Sequence, residues 1–190
     1  RQAAHDPARV AAALAPSQVV EFRKRETLEG LVARRVEFLT AYQDAAYAAT
    51  YRAFVEAVRA AEAPLGKTTL AESVARYLFK LMAYKDEYEV ARLHTDAAFL
   101  DKIGGLFEGD FTLNYHMAPP LIAKTNDRGE LVKQRFGPSM RTAFKVLASL
   151  KGLRGGAFDI FGRTEERKAE RALIGEYRAT IEEVLRTLNV

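Results

Sequence analysis

From residue 27 to residue 62 the chain carries no proline, and Leu31, Val32, Val36, Leu39, Ala46, Ala49 and Ala53 recur at steps of three and four, the spacing of one helical face. Thr27 is a good N-cap and Pro64 and Gly66 end the pattern, so one long amphipathic helix is predicted. Its centre, residues 41–50, is mostly alanine and tyrosine, which lets another helix approach closely while the phenol hydroxyls seek partners. A second helix is expected from Thr69, where Thr69 and Glu72 fit a capping box, through Val74, Leu78, Leu81 and Met82 to about Leu93. A third runs over residues 95–107, closed by Gly104, Gly105 or Gly109.

Beyond residue 110 the period changes. Phe111, Leu113 and Tyr115 alternate with Thr112, Asn114 and His116, the signature of a short strand, which Pro119 and Pro120 end. Residues 121–124 and 131–136 flank the polar turn Thr125-Asn126-Asp127-Arg128-Gly129-Glu130 and predict a small hairpin. Gly137 and Pro138 open a helix, proline at its first position, which carries Met140, Phe144, Val146, Leu147 and Leu150 and stops at Gly152. A glycine-rich loop over 152–162 leads to Thr164 and a last helix. There Leu173, Ile174, Tyr177, Ile181, Val184, Leu185 and Leu188 lie along one face, with Glu165 and Glu166 at the positive end of the dipole. Residues 1–27, rich in alanine and charge and interrupted by Pro7 and Pro16, read as an arm or linker from something upstream, and residues 28–190 as the domain proper. The expected fold is mainly α: a helical domain of long antiparallel helices with a small antiparallel β insert.

Composition narrows the class without naming a task. The 190 residues are 48% hydrophobic and 28% charged, enough for one sizeable core. Without cysteine the chain has no disulfide, thiolate nucleophile or thiolate ligand for zinc or an iron-sulfur cluster. No apolar run is long enough to span a bilayer, and the start at Arg1, without Met or an apolar stretch, suggests a fragment or processed chain with no signal peptide. A cytoplasmic location and no membrane partner are expected.

Candidate chemistry is sparse. Gly66-Lys67-Thr68 resembles the end of a P-loop, but Ala61 stands where that motif needs glycine, at the end of a helix, so an ordinary interhelical turn is the better reading. His5, His94 and His116 show no metal-binding spacing, although His94 and His116 could meet in the fold beside Asp96 or Asp101. The densest stretch, residues 77–94, puts Lys80, Tyr84 and Tyr88 on one predicted helical face and pairs Lys85 with Glu89 and Tyr88 with Arg92. That stretch, with Asp86, is either an ion-paired helix or a ligand-facing cluster. The net charge is +4, yet residues 124–163 alone hold nine basic and three acidic side chains, a local +6. Its Arg135, Lys145, Lys151 and Arg154, with the neighbouring His116, could form a partner-facing basic surface, and the glycines at 152–156 could let backbone amides approach an anion. No stacking or groove-reading motif suggests nucleic acid. No catalytic residue and no metal ligand can be assigned.

Six runs carry a resemblance: Ala41-Tyr-Gln-Asp-Ala-Ala-Tyr47, the stretch from Ala75 to Arg92, Phe107-Glu-Gly-Asp110, Ala118-Pro-Pro-Leu121, Lys151-Gly-Leu-Arg-Gly155 and Glu170-Arg-Ala-Leu-Ile174. Together they resemble the C-terminal region of the fused indolepyruvate ferredoxin oxidoreductases over about residues 28–188, most specifically over 76–92, and His5-Asp6-Pro7 resembles the junction after the preceding domain. The resemblance implies a parent enzyme that oxidatively decarboxylates an aryl pyruvate to an acyl-CoA, using thiamine diphosphate, Mg, an iron-sulfur cluster and CoA, and passes electrons to ferredoxin. Those cofactors belong to upstream domains: this chain lacks the family's Gly-Asp-Gly pattern and has no cysteine. It implies an accessory domain, inactive alone and free of cofactors, that packs on the catalytic domains of the same polypeptide or on a twin subunit in a homo-oligomer. The alternative is a basic module that docks ferredoxin or the phosphates of CoA.

Overall fold

The computed structural model describes residues 26–118 and 124–188, so residues 1–25 of the arm expected over 1–27, the strand end at Pro119 and Pro120, and residues 121–123 of the predicted hairpin lie outside the described residues. Among those described, seven α-helices and two short two-stranded antiparallel sheets make a mainly α fold with a minor β part.

The predicted long first helix is two helices. α1 (Leu28–Tyr42) starts at Thr27, whose hydroxyl accepts the Gly30 amide at 3.1 Å. It ends at Gln43, and α2 (Ala45–Glu62) begins after Asp44, whose carboxylate accepts the Tyr47 amide at 2.7 Å. A short 3₁₀ turn over Ala63–Leu65 closes at Gly66 in the left-handed region, where glycine is at ease.

α3 (Thr69–Met82) follows Thr68, whose side chain caps no amide, so the expected box at Thr69 does not form. Its orphan amides at Leu70 and Ala71 go to the buried Glu62 carboxylate at 2.8 and 2.9 Å, across the turn from α2. The pattern predicted to run on to Leu93 breaks at Ala83, and α4 (Glu87–Thr95) starts afresh from the N-cap Asp86. α5 (Ala97–Gly104) follows at once, with Asp96 accepting the Phe99 amide at 3.0 Å.

The predicted strand forms only at its end, because only β1 (Tyr115–Met117) finds a partner: it pairs antiparallel with β4 (Gln134–Phe136), Tyr115 opposite Phe136 and His116 opposite Arg135. The predicted hairpin joins β2 (Lys124–Thr125) to β3 (Leu131–Val132), its turn closed by Asn126, which takes the Glu130 amide on its side chain at 2.9 Å. α6 (Met140–Ser149) begins after Ser139, so Pro138 stands in the turn before it rather than at its first position. The last helix, α7 (Glu165–Thr187), is capped by Thr164.

Two apolar clusters result. The larger packs α1, α2, α3 and α7 through Leu31, Leu39, Tyr42, Tyr51, Val55, Leu78 and Ile181, with Ile174, Tyr177 and Leu185 against it. Leu173 and Val184, expected on that face of α7, are 46% and 38% exposed. The smaller cluster joins α4, α6 and the β1–β4 pair through Ala91, Tyr115 and Phe144.

Candidate functional site

The break between α3 and α4 gathers the polar chemistry of the fold. Arg154, from the glycine-rich loop, folds its guanidinium inward until the side chain is 6% exposed. Its Nε and Nη2 form a fork on the Asp86 carboxylate, Nη2 at 2.9 Å, and Nη1 donates to the Tyr42 carbonyl at 2.6 Å and the Gln43 side chain at 2.8 Å. The same plane lies 3.7 Å from the Tyr42 ring centroid. Asp86 still caps α4 by accepting the Glu89 amide at 2.8 Å. One arginine thus holds the end of α1, the start of α4 and the loop together. Lys151 adds a second tie, donating to the Ala41 carbonyl at 2.6 Å, where the last carbonyls of α1 lack helical partners.

The loop's amides do approach an anion, and it is the chain's own. Asp159 accepts the amides of Gly155 at 2.7 Å and Gly162 at 2.9 Å and the Tyr88 hydroxyl at 3.2 Å. Burial pushes this carboxyl up, but those amide donors and the phenol outweigh it and hold it below the usual range. Gly162 is obligatory in this turn: a Cβ there would run into the Asp159 carboxylate. On α7, Arg171 donates to the Gly162 carbonyl at 2.5 Å, and Arg167 bridges Glu170 at 2.6 Å and Glu87 at 3.5 Å.

Burial pushes the Tyr88 phenol up to about 12, the Asp159 charge adding to it, and pushes Tyr42 higher still. Both are neutral phenols, already donating to Asp159 and to the Tyr84 carbonyl. The ring of Tyr88 stands edge-on to Phe161 at 5.4 Å. The hydrogen-bonding groups of Arg154, Asp86, Tyr88 and Asp159 are engaged by one another and by backbone, so these four work as a clamp rather than as an acid, base or nucleophile, while Glu87 Oε2 and Arg171 Nη1 at its edge are buried without a hydrogen-bond partner.

The candidate residues from the sequence divide accordingly. Asp86, Tyr88 and Arg154 come together in the clamp, and Lys151 lies beside it, which corrects their reading as partner-facing contacts. Lys80, Tyr84 and Tyr88 do not share a helical face, because the break at Ala83 falls between them. Lys80 is exposed over the Tyr77 ring at 5.0 Å, Lys85 is exposed, and Tyr84 packs its ring against Tyr42 at 6.2 Å. Arg92 forks the buried Glu89 at 2.8 Å through both nitrogens and lies 5.0 Å from the Phe38 ring, tying α4 to α1. His116, Arg135 and Lys145 are exposed, and no acidic partner holds them among the described residues.

His94 and His116 do line one hollow, of about 210 Å³. His94 stacks on Phe144 at 5.1 Å, edge-on to Tyr115 and Phe99, and its buried Nδ1 has no hydrogen-bond partner. Among the described residues no group of three or more His, Asp or Glu side chains is arranged to hold a metal ion, and no helix is long and apolar enough to cross a membrane.

Sequence reasoning missed Tyr42, Gln43, Asp159, Arg167 and Arg171, and it paired Glu89 with Lys85 where the structure pairs it with Arg92. The available signal was an acid inside a glycine-rich loop: Asp159 is set between Gly155 and Gly162, the spacing of a carboxylate wrapped by its own amides. No curated protein and no solved structure matches the chain. One family model does, over residues 28–190, and it covers the helices, both sheets and the clamp: the chain belongs to a family of unknown function (DUF6537).

Proposed function

We propose that this chain is an accessory domain of a cytoplasmic indolepyruvate-type 2-oxoacid:ferredoxin oxidoreductase, non-catalytic by itself, which packs on the upstream catalytic domains or on a twin subunit. The parent reaction rests on the resemblance of residues 28–188 to that enzyme group. The domain's part in it rests on one observation: the hub residues Arg154, Asp86, Tyr88 and Asp159 are consumed by internal hydrogen bonds and ion pairs. A group committed in this way positions backbone and leaves nothing for substrate. Exposed apolar side chains outside the cores, among them Leu106 at 70% and Phe158 at 78%, offer surface for such packing.

The docking alternative keeps one observation in its favour. Arg128, Lys133, Arg135, Arg141 and Lys145 are exposed and carry no ion pair among the described residues. A ferredoxin- or CoA-binding surface would use these cations, not Arg154 or Lys151. The deciding experiment compares the parent enzyme with and without this domain in indolepyruvate-dependent reduction of ferredoxin and of a small artificial acceptor, with the domain then added back. Packing predicts that both reductions fall together. If ferredoxin reduction alone falls, and the Arg135→Glu/Lys145→Glu variant and salt of about 0.5 M reproduce that loss, the docking reading replaces it. If neither falls, both readings are wrong.

A further inference from the structure

The smaller core is underfilled on one side. Between α5, the extended segment that enters β1 and the turn before α6 lies a cleft of about 340 Å³, within the size range of small-molecule sites. Leu100 and Ile103 come from α5, Phe111 and Leu113 from the extended segment, Pro138 from the turn before α6 and Arg141 from the first turn of α6. Tyr115, 5% exposed, anchors the lining to the core, and Thr112 adds a hydroxyl.

Arg141 carries the one charge in this lining. Arg92, Arg154 and Arg167 are each paired with a carboxylate in the hub, whereas Arg141 has no acidic partner among the described residues. A guanidinium beside apolar walls favours a ligand that supplies both a buried hydrocarbon and a charge-assisted hydrogen bond. The mainly apolar walls disfavour a phosphate-rich ligand, whose several charges would find one cation and one threonine hydroxyl.

We propose that this cleft binds a small organic monoanion with an apolar, ring-sized body, its carboxylate on Arg141 and its body between α5 and the Phe111–Leu113 segment. Ile103, Leu113 and Tyr115 also border the neighbouring hollow that holds His94 and His116, so an occupant is separated from the unpartnered His94 by a single layer of side chains. The site needs only this chain and does not depend on the parent-enzyme reading.

The test is a titration of the ¹⁵N-labelled full chain with 4-phenylbutyrate and with its neutral amide, read by backbone amide shifts. Saturable shifts are expected over residues 100–115 and 138–141, with the acid bound about tenfold more tightly than the amide, the scale of one charge-assisted hydrogen bond. Arg141→Gln, at an exposed position, should erase that preference, and Ile103→Trp should block both ligands by filling the cleft. Because Ile103→Trp could disturb α5, the Arg141→Gln result carries the decision by itself. Absence of saturable shifts with the acid up to about 10 mM, an affinity too weak to mark a site, would overturn the proposal. Equal affinity for acid and amide would also overturn it, as would concentration-dependent shifts of the same residues without ligand, which would mean that a second copy covers the cleft.

Discussion

With Arg154 removed, the Asp86 carboxylate, 4% exposed, would keep only the Glu89 amide as a donor. An uncompensated buried charge is the costly case, so Arg154→Ala is expected to lower the unfolding free energy by about 3–5 kcal/mol in urea titrations. Arg154→Lys keeps the charge but not the fork and should recover part of that; full recovery would mean that the fork on Asp86 and Tyr42 does not matter. Two glycines give a paired test of opposite sign. Gly162→Ala drives a methyl into Asp159 and should cost about 2–3 kcal/mol, whereas Gly175, in open space within α7, should gain about 0.5–1 kcal/mol on the same change. His94 sets a pH window. Burial holds its imidazole below the ordinary 6.5, so the unfolded chain protonates first as pH falls. Stability is therefore full above about pH 6.5 and declines below it until the folded imidazole protonates too. His94→Phe should flatten urea midpoints between about pH 7 and 5, and an unchanged slope there would place the titrating group elsewhere. The lowered carboxyl of Asp159 acts in a separate range: its contribution is present above the ordinary 3.8 and is lost only as pH falls through the lower folded value.

At the scale of elements, the two unforeseen helix breaks share a cause. Asp44 and Asp86 each leave the helical region and accept an amide three residues on, from Tyr47 and from Glu89. Asp44→Ala should cost about 1 kcal/mol, measured by thermal or urea unfolding, because the α2 amide loses its acceptor. A neutral or stabilising result would mean that α1 and α2 can fuse into the single predicted helix. The helices themselves were legible because their apolar spacing is long and regular: Leu31, Leu39, Val74 and Leu78 are all core residues. The breaks were not, because aspartate inside a helical pattern looks the same whether it is solvated or capping. What ends α1 is also remote: Lys151 and Arg154 reach its last carbonyls from more than a hundred residues away. The same holds for the site. The crowding of residues 77–94 was visible, and so was the glycine-rich loop, but that the loop's anion is Asp159 follows only once Tyr88, Gly155 and Gly162 are brought around it.

At the scale of the molecule, the clamp sits where the two cores meet. α1, α2, α3 and α7 share the larger cluster, with Leu39, Tyr42, Tyr51, Val55 and Leu78 all fully buried, while the smaller has only Ala91, Tyr115 and Phe144 as its buried centre and a cleft beside it. α4 reaches both regions, through Arg92 over Phe38 at the edge of the larger cluster and through Ala91 and His94 in the smaller. Apolar burial sets the free energy of local opening, so the two halves should open at different costs. Hydrogen exchange in mild denaturant should find amides of α2 and α3 exchanging only by global unfolding, and amides of α5, β1 and α6 by a smaller, sub-global opening. Arg154→Lys separates this from simple fraying. If the clamp couples the halves, the variant should lower protection in α4 as well as at the end of α1, whereas loosening confined to the glycine-rich loop would mean that Arg154 secures only its own segment. Equal protection across both cores would refute the division and make the chain one cooperative unit.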